Sequence, residues 1–227
     1  MTSRLRAALA ASAMAALVSA CATTGTTAPA GDKGAASTPA RPVRAGLDPA
    51  ARPDAFPSTY APLPSRPTAI RGATILTATG QQIDGGVVFM SGGRIVAVGG
   101  PDTAIPADAA VIDGTGKWVT PGVIDAHSHL GVYPSPAVGS RSDGNEAVDP
   151  NTAYVWAEHS LWPQDPGFNR ARAGGVTTLQ ILPGSANLFG GRSVTVRNVP
   201  SVTMQGMKFP GAPYGLKMAC GENPKRV

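Results

Sequence analysis

Asp125, His127 and His129 occupy alternate positions at the end of the run Trp118-Val119-Thr120-Pro121-Gly122-Val123-Ile124. In an extended segment successive side chains alternate faces, so Val123, Asp125, His127 and His129 project on one side. The two imidazoles then lie about 7 Å apart along the chain, with a carboxylate beside them. That spacing suits two nitrogens sharing one divalent ion, because imidazole is a preferred ligand of zinc and similar metals. A His-x-His pair also arises by accident of composition. Here, however, two of the chain's three histidines close an apolar strand that follows a Pro-Gly turn, and the pair reads as metal-binding.

The run Gly93-Arg94-Ile95-Val96-Ala97-Val98-Gly99 and the stretch 111–129, with its Thr120-Pro121-Gly122 and Asp125-Ala126-His127-Ser128-His129 blocks, resemble the start of the amidohydrolase superfamily of metal-dependent hydrolases. The imidazolonepropionase-like and prolidase-like branch is the nearest in look. Gly174-Gly175-Val176-Thr177-Thr178 is similar to the entry of that family's second barrel strand. The resemblance covers residues 68–227. It implies a (β/α)8 barrel beside a small β-sandwich, one or two divalent ions with zinc as the first choice, and water attack on a C–N bond. The substrate class would be a small amide, cyclic amide or dipeptide.

The same resemblance assigns roles. His127 and His129 would be ligands of the more buried metal. Asp125 would either orient an imidazole from behind, as carboxylates do for metal-bound histidines, or serve in the bottom layer of the barrel. The family also needs a bridging ligand, either a glutamate or a carboxylated lysine. Glu222, just past the last strand-like run, is the first choice and Lys217 the alternative; both would otherwise be ordinary surface charges. His159 reads as a solvated histidine on a helix. Gly190-Gly191-Arg192-Ser193 lacks the Gly-Lys-Ser/Thr ending of a phosphate loop. It reads as a mobile loop at the barrel mouth, with Ser185 and Asn187 lining the pocket. No serine has a partner that would support a nucleophilic mechanism.

The elements that must position these residues follow from periodicity and glycine. Residues 69–77, 87–90, 94–98, 111–113 and 117–119 read as short strands, with Ser91-Gly92-Gly93 as a hairpin turn. They make residues 68–121 part of a β-sandwich. Residues 122–227 read as the first part of the barrel. Its elements are a strand at 123–129, a long irregular segment at 131–151, a helix near 152–160 and another over 166–172. Strand two at 176–182, an extended pair at 193–197 and 201–204, and a strand at 214–219 complete it. The alternation of strands and helices predicts a mostly parallel α/β sheet. The stretch from Gly122 to Val227 is less than half of the about 250 residues that a closed barrel takes. The histidines and late aspartate of the family's remaining strands are absent. The expectation is an incomplete barrel, with no catalytic base of its own and inactive by itself. The rival expectation is a noncatalytic cell-envelope lipoprotein that keeps the barrel's front half as a binding module.

Upstream, Arg4 and Arg6 precede an apolar alanine-rich stretch ending Val18-Ser19-Ala20-Cys21. Residues 1–20 read as a secretory signal peptide whose apolar core is too short for a good membrane span. The last four positions resemble a lipobox that would leave Cys21 lipidated. That implies a membrane-anchored lipoprotein of the cell envelope, on the periplasmic face of the outer membrane. Residues 21–67 are rich in Pro, Ala, Thr and Gly and poor in large apolar side chains, so they read as a tether. With Cys21 committed to lipid, Cys220 has no disulfide partner. The net charge of +5 is scattered, without a basic stripe, which argues against nucleic acid as a partner. An oligomer is compatible with the sequence.

Overall fold

The computed structural model describes residues 54–227. β-Branched residues and glycine turns build its first half. Strands β1 (Thr68–Leu76), β2 (Gln82–Ser91), β3 (Arg94–Gly99), β4 (Ala110–Asp113) and β5 (Trp118–Val119) form a five-stranded sheet. Its order is β3-β2-β1-β4, and β5 also pairs with β1. The hairpin read from Ser91-Gly92-Gly93 is present. Gly92 and Gly93 have φ of 59° and 73°, the positive values that a tight two-residue turn requires. Beyond β3, both β4 and β5 run parallel to β1 on its far edge. Ala69, Val87 and Phe89 are buried together against Ala97, Ile105 and Ala109. Ile95, Val96, Val111, Ile112 and Trp118 stay half or more exposed.

The second half holds the motif. Strands β6 (Val123–Ser128) and β7 (Val176–Ile181) pair in parallel, with helix α1 (Pro166–Ala173) in the connection between them, as a parallel pair demands. α1 starts where Asp165 accepts the N–H of Gly167 and Pro166 takes the first turn, a position whose N–H would have no partner anyway. It ends at Gly174, and Gly175 supplies the left-handed φ of 89°. Leu179, Ile181, Val194 and Val196 pack with Phe168 of α1 and with Val132, Ala157, Leu161, Met204 and Met207 in one apolar core. Truncating a side chain as buried as Leu179 to alanine costs about 2–5 kcal/mol.

Several expectations are corrected here. The β6-β7-β9 sheet is mixed, because β9 (Val194–Arg197) runs antiparallel to β7, and β8 (Phe189–Arg192) forms a separate antiparallel pair with β10 (Leu216–Met218). Residues 190–193, read as a mobile loop, therefore lie mostly in a strand. Their glycines reflect crowding. A Cβ on Gly191, at φ +119°, would meet the Val155 carbonyl oxygen at 2.7 Å, and one on Gly190 would sit 3.4 Å from Lys217 Cγ. The helix expected near 152–160 is only a 3-10 turn, Ala157–His159. The extended segment expected at 201–204 leads into a short helix, α2 (Met204–Met207), capped by the Thr203 hydroxyl.

The tether expected through residue 67 does not run that far. From Asp54 to Tyr60 the chain is seated on the folded body, and residues 61–66 are exposed. The Thr59 N–H donates to the Gln205 carbonyl at 3.0 Å, Ser58 Oγ donates to the Lys208 carbonyl at 2.6 Å, and Asp54 pairs with Lys208 at 2.7 Å. Weighing apolar burial alone misses a segment that is held by polar contacts. The signal peptide, Cys21 and the rest of the tether lie outside the described residues. Among the described residues no helix is long and apolar enough to cross a membrane.

Candidate metal centre

The strand β6 carries the Asp-x-His-x-His block, but not as a strictly alternating strand. Asp125 pairs with Leu179 and Ser128 with Ile181, so β6 spends one more residue than β7 over Ala126-His127. Such a bulge re-aims side chains and is common next to active sites. Its result is close convergence. The His127 and His129 rings meet edge to face with centroids 5.3 Å apart. Asp125 is half-buried, and its carboxylate accepts the backbone N–H of His127 at 3.1 Å. Its link to the pair therefore runs through the main chain of the bulge.

His129 is fixed by the end of the neighbouring strand. Its Nδ1 lies 2.9 Å from the Leu182 carbonyl, while the Leu182 N–H donates to the Ser128 carbonyl at 2.9 Å. A carbonyl can only accept, so Nδ1 carries the proton and Nε2 presents a lone pair. That is the tautomer and orientation that metal-bound histidines take from their outer partners. On its other side the His129 ring meets Tyr133 edge to face, with centroids 5.6 Å apart.

His127 is met by Lys217 of β10. Lys217 is buried at 7% exposure, and its Nζ lies 3.2 Å from His127 Nε2. No carboxylate is recorded as a partner of that ammonium among the described residues. Burial pulls Lys217 below the usual lysine range. The Lys217 charge, followed by burial and His129, pulls His127 down, against a smaller upward pull from Asp125. Both shifts favour neutral nitrogens with lone pairs, the form that ligates metals or reacts with electrophiles. Lys217 reaches this place because β10 pairs with β8 at Gly191.

Glu222 is placed elsewhere. Its carboxylate is 80% exposed and pairs with Lys225 at 2.6 Å, so the structure brings Lys217, the alternative bridging residue, to His127. Among the described residues no three His, Cys, Asp or Glu side chains converge as a metal set. Two imidazoles and one lysine amine are the donors present. They fit part of a metal site: one imidazole is tautomerically fixed, the other has a depressed pKa, and a buried amine stands beside them.

The remaining sequence candidates separate from this group. Asn187 is fully buried and donates to the carbonyls of Glu146 (2.6 Å) and Asp149 (2.7 Å), so it ties loops together. Ser185 accepts from Asn223 at 2.8 Å. Neither lines the cleft of about 240 Å³ bounded by residues 143–146, 154–157, His159, Ser160 and Pro183. His159 is exposed, as expected, but sits on a 3-10 turn and stacks edge to face on Phe56 at 4.8 Å. Cys220 is free and exposed.

Three neighbours were not legible as site residues. Tyr133 carries no signal in sequence; burial raises its phenol pKa, and its hydroxyl is held by Asn145. Asn145 in turn accepts the Ala186 N–H at 3.2 Å, fixing the loop after β7. Asp165 is 2% exposed. Beyond capping α1 it accepts the N–H groups of Gly131 (2.9 Å) and Ser135 (3.1 Å), and so holds the turn between His129 and Tyr133. Its Asp-Pro-Gly setting was readable as a helix start, though not as a loop anchor.

Comparison with known proteins gives a consistent result. No protein-family model matches the chain. The chain is 35% identical over 189 residues to the amidohydrolase tasK of Hapsidospora irregularis, covering 71% of this chain and 19% of that protein. It is 48% identical over 54 residues to the imidazolonepropionase of Geobacillus kaustophilus, covering 21% of this chain and 13% of the relative. The fold matches the crystal structure of an amidohydrolase from Thermotoga maritima with a TM-score of 0.64 and 42% identity, covering 70% of this chain and 40% of that one. The chain thus spans well under half the length of these relatives. With its Asp-x-His-x-His strand, the βαβ unit that bears it and these likenesses, the chain belongs to the amidohydrolase superfamily.

Proposed function

We propose that this chain contributes part of the metal centre of a hydrolase that attacks a C–N bond in a small amide, cyclic amide or dipeptide. The observation that carries the reading is the meeting of Lys217 and His127 beside the oriented His129. His127 and His129 would hold a divalent ion, zinc by the preference of imidazole nitrogen. Lys217 takes the bridging role in place of Glu222. Its neutral amine would add carbon dioxide: the N–C bond forms, one proton leaves to solvent, and the resulting carbamate supplies two oxygens that share one negative charge. Burial of the amine favours the neutral form that this addition needs.

When bound, the ion would lower the pKa of water toward neutrality and polarise the scissile carbonyl. The residues of this chain bind and orient. The Leu182 carbonyl holds the His129 tautomer, the bulge anchored by Asp125 sets His127, and Tyr133 walls the far side of His129. The general base is assigned to none of the described residues. The N-terminal signal and Cys21 are consistent with an envelope lipoprotein, and this localisation is part of the proposal.

The test is metal content, measured by plasma mass spectrometry on full-length protein purified with zinc and bicarbonate. Wild type should retain stoichiometric metal, whereas His127→Ala and His129→Ala should each lose most of it. Equal metal content in all three proteins would overturn the assignment.

A further inference from the structure

Far from the histidine pair in sequence, a buried cation stands behind the 156–160 wall of the cleft. Lys208, directly after α2, is 4% exposed. Its Nζ contacts Glu158 Oε2 at 2.7 Å, Asp54 Oδ2 at 2.7 Å and the Phe56 carbonyl at 2.7 Å, and it also meets the Tyr214 hydroxyl. Tyr214 closes the ring by donating between Asp54 (3.0 Å) and Glu158 (3.0 Å). Glu158 is itself 5% exposed. Two of these partners, Asp54 and the Phe56 carbonyl, come from the segment before β1. Without them a buried ammonium would keep Glu158 as its sole carboxylate and lose a carbonyl acceptor, a costly state for a desolvated charge.

The same segment is fastened at two more points. Ser58 and Thr59 bond the backbone at Lys208 and Gln205. The Arg197 guanidinium lies 4.7 Å from the Tyr60 ring and 4.2 Å from the Phe209 ring, a cation held by two aromatics. The far side of the lock reaches the cleft. Glu158 lies on the 3-10 turn Ala157–His159, and Trp156, Ala157, His159 and Ser160 line the cleft wall. Phe56 packs on His159, and Trp156 packs on Tyr214 at 4.5 Å. Segment, lock and wall are contiguous.

We infer that residues 54–60 form a charge-locked strap, and that its seating on Lys208 holds the 156–160 wall of the cleft in place. The strap lies within the segment 21–67, whose composition alone would mark it as a tether. This inference is independent of the metal assignment, since none of its residues touches His127, His129 or Lys217.

The experiment is hydrogen exchange followed by mass spectrometry on the full-length protein and on Asp54→Asn, which keeps shape and removes the charge. The reporters are the Thr59 amide, bonded to Gln205, and the His159 and Ser160 amides, bonded within the wall. Both sets should exchange roughly tenfold faster in the variant, the scale set by losing a charge-assisted hydrogen bond, while the β2–β3 hairpin is unchanged. Asp54→Glu should restore most of the protection. Faster exchange in the strap with an unchanged wall would overturn the coupling, and no change in either would overturn the lock. Should Asp54→Asn loosen the whole molecule, hairpin included, Phe56→Ala replaces it. That variant removes only the ring on His159, and the same two patterns decide the outcome.

Discussion

Lys217 Nζ lies 3.2 Å from His127 Nε2 although the two residues are 90 positions apart. Two groups that both carry protons in water are held here with no anion recorded between them. The strand pairing of β10 with β8 places the backbone of one and the bulge in β6 that of the other. A site built this way favours unprotonated nitrogens and accommodates a cation or an electrophile.

If Lys217 is the bridging residue, Lys217→Ala should lower zinc affinity at least tenfold, on the scale that ligand-shell changes produce. Glu222→Gln should leave it unchanged, because Glu222 is solvated and paired with Lys225. Competition titration with a chromophoric chelator measures both. The reverse ranking would return the role to Glu222.

Asp165→Ala should destabilise the protein by about 3 kcal/mol in urea unfolding. It removes a helix cap and two further acceptors for buried N–H groups. Because Gly131 and Ser135 flank the turn beside His129, metal affinity should weaken as well. Asp165→Asn, which keeps an acceptor oxygen, should cost less.

Gly191→Ala should cost about 1–3 kcal/mol for a non-glycine residue at φ +119° that also presses on the Val155 carbonyl. The strain falls directly behind Lys217. Zinc affinity should therefore drop with stability, whereas Gly116→Ala, with φ +72° but open space around it, should affect stability alone.

Strap seating should have an acid limit. Burial raises the Asp54 pKa, but its hydrogen bonds to Lys208, the Phe56 N–H and Tyr214 outweigh this and leave it below its ordinary 3.8. A depressed carboxyl pKa contributes stability above its unfolded value, and the contribution is lost as pH falls through the folded value. On the alkaline side, burial pulls Lys208 down but its partners raise it overall, and burial, the first cause, pushes Tyr214 up to about 12. Those contributions are complete below the ordinary values and fade as pH rises through the folded ones. Exchange protection at Thr59 should therefore be flat between about pH 4 and 10 and fall outside that window. In Asp54→Asn the acid limb set by Asp54 should vanish.

Cys21 should carry the lipid. Cells fed an alkyne fatty acid should label the wild type and not Cys21→Ser, and the variant should be released by osmotic shock. Equal labelling of the two would dispose of the anchor.

The sequence by itself determined the local features. The apolar run after the Pro-Gly entry marked a strand from Val123 leading to two imidazoles, and the structure ends that strand at Ser128. Gly92-Gly93 had to turn a hairpin, and Pro166 to start a helix. These depend on backbone preferences within a few residues, and the superfamily followed from the same short blocks. Tertiary structure decided what depends on partners distant in the chain. The structure brought Lys217, and not Glu222, to His127 because strand pairing, which a sequence does not display, put one side chain inside and left the other in water. Residues 190–192 became part of β8 for the same reason, since a glycine pair serves a loop or a close approach equally well until its neighbours are known. Asp54 to Tyr60 left the tether because their hold is electrostatic, on a lysine about 150 residues later, and composition counts only the apolar surface a segment can bury.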